Sequence, residues 1–191
     1  MVKGRSILIP SKAWGIIDLL RGGGMAYLFI VMGVLFRLIP HLPNFTPIAA
    51  IALFGAANLS KKQAVIVPLA IMVASDIIIG LHPLILFTWG CFVLTAFIGL
   101  WLKENRTAIN IFGAAASSSV IFFIITNFGV WALPASWYPH TLNGLISCYI
   151  MALPFYRNML LGDLFYVALF FGAYEAVNIL IRKYYPKTSR I

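Results

Sequence analysis

Six apolar runs follow one another along the chain, at about 25–39, 46–59, 63–80, 83–102, 108–133 and 157–181, and 12 of the 14 lysines and arginines lie outside them. No other feature constrains the fold as tightly. A soluble domain carries about a quarter charged residues and about half apolar ones. This chain of 191 residues is 10% charged and 62% hydrophobic, with a mean hydropathy of +0.96. Lipid is its natural solvent, and in lipid each backbone amide must be satisfied internally, which helices do segment by segment. The expected fold is an all-α integral membrane protein, a six-helix bundle. The run at 46–59 is too short to cross a hydrocarbon core of about 30 Å at 1.5 Å per residue, so it crosses with its flanks or ends inside the bundle. A seventh stretch, TLNGLISCYIMALPFY at 141–156, is apolar but broken by Gly144 and Pro154. It is expected to be a loop helix or a re-entrant piece packed on protein.

Orientation follows from the basic residues. With the N-terminus in the cytoplasm, the inner side receives Lys3, Arg5, Lys12, Arg21, Lys61, Lys62, Lys103, Arg106, Arg182, Lys183, Lys187 and Arg190. Of the 14 lysines and arginines, that leaves Arg37 and Arg157 on the outer side. The bias matches the positive-inside rule and places both termini in the cytoplasm. The same clustering accounts for the net charge of +9 without nucleic acid as a partner. Three parts result: a basic cytoplasmic segment at 1–24, the helical domain at 25–183 and a basic tail at 184–191. The first segment lacks the apolar core and small-residue cleavage site of a signal peptide. Its Trp14, Ile16, Ile17, Leu19 and Leu20 suit a short helix on the membrane surface, or else no fixed structure. Cys91 and Cys148 lie inside apolar runs and read as buried thiols.

In this orientation the polar side chains become lopsided. Arg37, His41, Asn44, Asp76, His82, Asn127, His140, Arg157 and Asp163 all fall on the outer side. Ionisable groups at membrane depth cost a few kcal/mol or more unless they face partners or water, so they point into the bundle. The expectation is one hydrated cavity open to the outside, with Arg37, His41, Asn44, Asp76, Asn127, Trp131, Arg157 and Asp163 as its solute-contacting residues. Each has a plainer reading beside it. Asp76 with an arginine makes a structural ion pair. The three histidines serve as loop residues, and their spacing carries no metal-ligand signature. Asn127 acts as a hydrogen-bonding link between helices, with Trp131 one turn below it in an interfacial belt. Neither a metal nor a cofactor is expected. The small residues of GAAASSSV (113–120) and of the run at 46–59 allow helices to approach closely, or offer a docking face to a membrane partner.

The connection RLIPHLPNFTP, Arg37 to Pro47, joins the first two runs. Pro40, Pro43 and Pro47 stiffen it and hold Arg37, His41 and Asn44 over the outer cavity. Thr46 is placed to cap the second helix, with Pro47 at its first position.

Four blocks, RLIPHLPNFTPIAAIALFGAA (37–57), VPLAIMVASDIIIGLH (67–82), FFIITNFGVW (122–131) and YPHTLNGLISCYIMALPFYRNMLLGDLFY (138–166), resemble a family of small, uncharacterised bacterial multi-pass membrane proteins. They cover about half of the chain. In size and helix plan the sequence is also similar to the substrate-binding, or S, components of energy-coupling factor transporters. That likeness implies an outer pocket for a small molecule, and energy from a separate transmembrane coupling subunit with ATPases. The chain itself has no G-x-x-x-x-G-K-[ST] loop to hold ATP. S components carry a small-residue docking face on their first helix; here the second run is the richer one. The leading expectation is therefore a non-enzymatic, solute-binding transport component. The alternatives are a structural or assembly subunit without a ligand, and an intramembrane aspartyl hydrolase built on Asp76 and Asp163. LLGD at 160–163 and ALPF at 152–155 only partly match the motifs of the last.

Overall fold

The computed structural model describes residues 24–184, and the proposed surface helix near Trp14 and the tail beyond 184 lie outside the described residues. Among them there are six helices and no strand: α1 Gly24–Leu38, α2 Ile48–Asn58, α3 Lys61–Ile79, α4 Ile85–Leu102, α5 Ala108–Ala132 and α6 Leu142–Tyr184. Four of these, α3 to α6, are long and apolar enough to cross a membrane. Large apolar side chains such as Leu86, Phe97 and Ile109 stand exposed on the outside of the bundle, where lipid replaces water as their solvent. The protein is an all-helical membrane protein.

At its centre stands α2. With 11 residues it is about 16 Å long, roughly half the hydrocarbon thickness. Every residue from Ile48 to Ala57 is buried, and α2 touches each of the other five helices. Its sequence, IAAIALFGAAN, is apolar on all sides, as full burial requires, and small enough for neighbours to close in. A β-carbon at Gly99 of α4 would lie 2.7 Å from the Ala56 side chain and 2.8 Å from the Leu53 carbonyl oxygen. The small residues of this run thus serve packing within the bundle, and no docking face for a partner is left on α2. Around it the buried positions of α3, Ala64, Val67, Pro68, Ile71, Met72, Ser75 and Asp76, repeat every three to four residues and form one stripe. A capping box between Ser60 and Gln63 starts that helix, and Gly80 at φ 121° ends it.

Because α2 ends inside protein, its last carbonyls need donors. Arg106 supplies them, with Nη2 2.7 Å from the Ala57 oxygen and 3.2 Å from Asn58 Oδ1, while Lys103 Nζ donates to the Leu59 oxygen at 3.2 Å. Two cations at a buried helix C-terminus also offset its dipole, an effect of up to about 2 kcal/mol in such geometry. Rings fill the space between α1, α2 and α6: Phe29 and Phe54 meet edge-on at 5.7 Å, and Phe54 meets Phe171 at 5.0 Å.

The stretch at 141–156 departs from expectation. It is neither a loop helix nor re-entrant, but the first part of a continuous 43-residue helix with Pro154 inside it. That helix is about 65 Å long, twice the hydrocarbon thickness. Contacts along α5 keep it going. Tyr149 Oη donates to the Ile124 oxygen at 2.7 Å, and Phe123 packs on Tyr149 and Tyr156 with ring centres 5.5 and 4.8 Å apart. Packing on a neighbouring helix outweighs the backbone hydrogen bond that Pro154 forfeits. Gly144 does not break the helix either; it sits in the first turn, where a β-carbon would run into the Pro139 carbonyl.

Candidate functional site

The end of the bundle opposite Lys61, Lys62, Lys103 and Arg106 holds a cavity of about 310 Å³. All six helices reach it. Arg37 comes from α1, Ile48 and Ala49 from α2, Met72 and Ile79 from α3, Thr88, Phe92 and Thr95 from α4, Ser118 and Phe122 from α5, and Met159 and Asp163 from α6. His41, Asn44 and Thr46 of the first connection and His82 of the α3–α4 turn complete the wall. The volume lies at the lower end of the ~300–1,000 Å³ usual for small-molecule sites.

The connection between α1 and α2 is positioned by its own residues. Phe45 accounts for most of this, packing at 5.5 Å on the ring of Tyr166 and against the backbone of Gly162. Phe45 also donates its amide to the Leu42 oxygen at 3.0 Å, which closes a turn through Pro43 and Asn44. Asn44 takes the left-handed conformation at φ 63°, which asparagine tolerates better than most residues. Thr46, expected as a cap, makes no capping bond. The cap position falls on Pro47, whose carbonyl accepts from Ile51 at 2.8 Å and which offers no side-chain acceptor. The start of α2 therefore lacks a side-chain cap where it borders the cavity.

Arg37 is held from behind. Its Nη1 lies 2.6 Å from Asp76 Oδ1, 2.7 Å from Ser75 Oγ and 3.2 Å from Met72 Sδ. Asp76, 1% exposed, also accepts from Trp89 Nε1 at 2.8 Å through Oδ2, with His82 Nε2 at 3.8 Å. Removing one member of such a buried pair costs about 3–5 kcal/mol, because the other charge is stranded. Asp76 stands behind Arg37 and not on the cavity wall. Its Oδ1 holds the arginine and its Oδ2 accepts from Trp89, so the structural ion pair describes it better than solute contact.

Asp163 is the opposite case. It is 3% exposed, lines the cavity, and has Ser119 Oγ at 2.6 Å as its partner, with no basic side chain beside it among the described residues. Ser119 is itself 3.1 Å from the Ala115 oxygen, and its one hydroxyl hydrogen cannot serve both acceptors. Next to it, Ser118 borders the cavity, and its Oγ is buried with no hydrogen-bond partner. Such a group costs about 1–3 kcal/mol unless something binds it.

Of the residues singled out from the sequence, Arg37, His41, Asn44 and Asp163 share this cavity. Asn127 and Trp131 do not. Asn127 borders a separate hollow of about 140 Å³ with Asn44, Thr126 and Tyr156, and its Nδ2 donates to the Phe123 oxygen at 2.8 Å within its own helix. Trp131 Nε1 donates to the Pro139 oxygen at 3.0 Å and meets the His140 ring at 5.7 Å, pinning the connection after α5. Arg157 is exposed on α6 and belongs to neither hollow. Sequence reasoning missed Ser118, Thr95 and the rings of Phe92 and Phe122. Ser118 lies in the small-residue run read as packing, and only its depth beside Asp163 distinguishes it. Among the described residues no three of His, Cys, Asp and Glu converge as a metal site would need.

One family model matches residues 23–187, which takes in the whole described bundle. The chain belongs to the family of unknown function DUF6580. No curated protein and no solved structure matches it.

Proposed function

We propose that this protein is the solute-binding component of a membrane transport system, taking a small polar molecule into the cavity from the outer side. The observation that carries the reading is the pair Asp163 and Ser118: two buried polar residues line a hollow of about 310 Å³, with no cation on the carboxyl of one and no hydrogen bond on the hydroxyl of the other. An assembly subunit needs its buried polar groups paired with each other, as Arg37 and Asp76 are. Asp163 and Ser118 are left over. A hydrolase dyad needs two carboxyls sharing a proton. Asp76 is instead held by Arg37 and Trp89, and Asp163 by Ser119.

The cluster Lys61, Lys62, Lys103 and Arg106 at the far end supports a cytoplasmic location for that end and for both termini, in the inner membrane of a bacterium. Release inward requires the bundle to rock. The sequence has no P-loop, so if ATP drives that movement it is held by a separate coupling subunit with ATPases, docked on a surface other than the buried α2. The protein carries the solute and does not transform it.

The test is a thermal-shift screen of small polar solutes on purified protein, repeated with Ser118→Leu. Filling the hollow at a side chain that makes no hydrogen bond should leave the fold intact and abolish stabilisation by any active solute. Stabilisation that persists in Ser118→Leu, or its absence across the library, would remove the basis for this reading.

A further inference from the structure

We infer that the cavity selects solutes presenting a positively charged nitrogen at their buried end, seated on Asp163 and donating to Ser118 Oγ. This rests on the solute-binding reading and adds the chemical class.

The charge balance of the site leads there. Arg37 and Asp76 neutralise one another at 2.6 Å, so neither adds net charge to the hollow. Asp163 remains, 3% exposed, hydrogen-bonded to a neutral serine and without a basic neighbour among the described residues. The uncapped start of α2 borders the same space and contributes positive partial charge. That contribution is equivalent to about half an elementary charge, less than one carboxylate carries. With Asp163 ionised and the His41 and His82 of its wall neutral, the hollow is negative, and Asp163 then lacks the counter-ion that a buried carboxylate requires. A protonated amine supplies it. Its N–H groups also match the acceptors available, because Ser118 Oγ offers lone pairs that nothing in the protein uses. Phe92 and Phe122 give the rest of the solute an apolar wall.

Two measurements test this. The first compares tyramine, tyrosol and 4-hydroxyphenylacetate, together with 1,5-diaminopentane, 1,5-pentanediol and glutarate, as stabilisers at millimolar concentration. In each series the amine should stabilise and the alcohol and acid should not. Asp163→Asn should weaken amine binding at least ~10-fold.

The second needs no bound solute. In Ser118→Cys, a cationic methanethiosulfonate reagent should react at least ~10-fold faster than an anionic one after correction for their rates on a free thiol. That preference should vanish when Asp163→Asn is added. The wild type, whose Cys91 and Cys148 are buried, provides the blank. Equal rates, or equal binding of alcohol or acid, would overturn the charge assignment and leave a solute cavity standing. Preferences that survive Asp163→Asn would do the same. A Ser118→Cys thiol that reacts with neither reagent, with no compound stabilising, would overturn the cavity reading as well. If Asp163→Asn fails to fold, the charge preference of Ser118→Cys alone decides.

Discussion

At the scale of single residues, the two buried acids have opposite roles because they have different neighbours. Asp76 is fixed by Arg37 and Trp89, so Arg37→Leu should strand it and destabilise the protein by about 3–5 kcal/mol. The double variant Arg37→Leu/Asp76→Leu should recover much of that loss, which thermal unfolding of the singles and the double measures. No recovery would mean that the pair is not the unit described. The residues that could be placed from sequence were those whose physics allows one answer. An arginine or aspartate inside an apolar run is expected to turn inward, and Arg37 and Asp163 do, whereas Arg157, the first residue of its run, stays exposed. Asn127 and Trp131 show where that reasoning ends. Their four-residue spacing puts them on one helical face but says nothing of the neighbour each meets: Asn127 donates to the Phe123 carbonyl of its own helix and Trp131 to the Pro139 carbonyl. Ser118 was illegible because a hydroxyl in a run of small residues suits packing equally well.

At the scale of elements, the bundle is built around a helix too short to cross. Its six runs could be counted in the sequence because lipid-facing helices must be apolar over their length. The depth of α2 could only be bounded, since an all-apolar segment has no face to orient. Close packing on α2 should make Gly99→Val costly by about 1–3 kcal/mol or more, since the new side chain meets Ala56 and the Leu53 backbone. Arg106→Met should cost about 1–2 kcal/mol through the loss of the donor to Ala57 and of the charge at the end of α2. In α6, glycine and proline in the sequence suggested a break. Local preference was overruled there by the contacts of Tyr149 and Tyr156 with α5. Pro154→Ala should therefore keep the fold and raise Tm, since proline inside a helix costs about 3 kcal/mol relative to alanine. A fall in Tm would show that the proline shapes a bend the packing needs.

At the scale of the molecule, charge and cavity lie at opposite ends. Trp137, 95% exposed beyond α5, lies at the cavity end, and Glu104 lies at the basic end. In intact cells a membrane-impermeant thiol reagent should label Trp137→Cys and spare Glu104→Cys until the membrane is opened. The reverse pattern would turn the hollow toward the cytoplasm. The most direct measurement is an experimental density map of the purified protein with a stabilising solute. The expected result is solute density between Asp163, Ser118 and Phe92, with Arg37 still on Asp76. A hollow closed by side chains, or a solute bound elsewhere on the bundle, would contradict it.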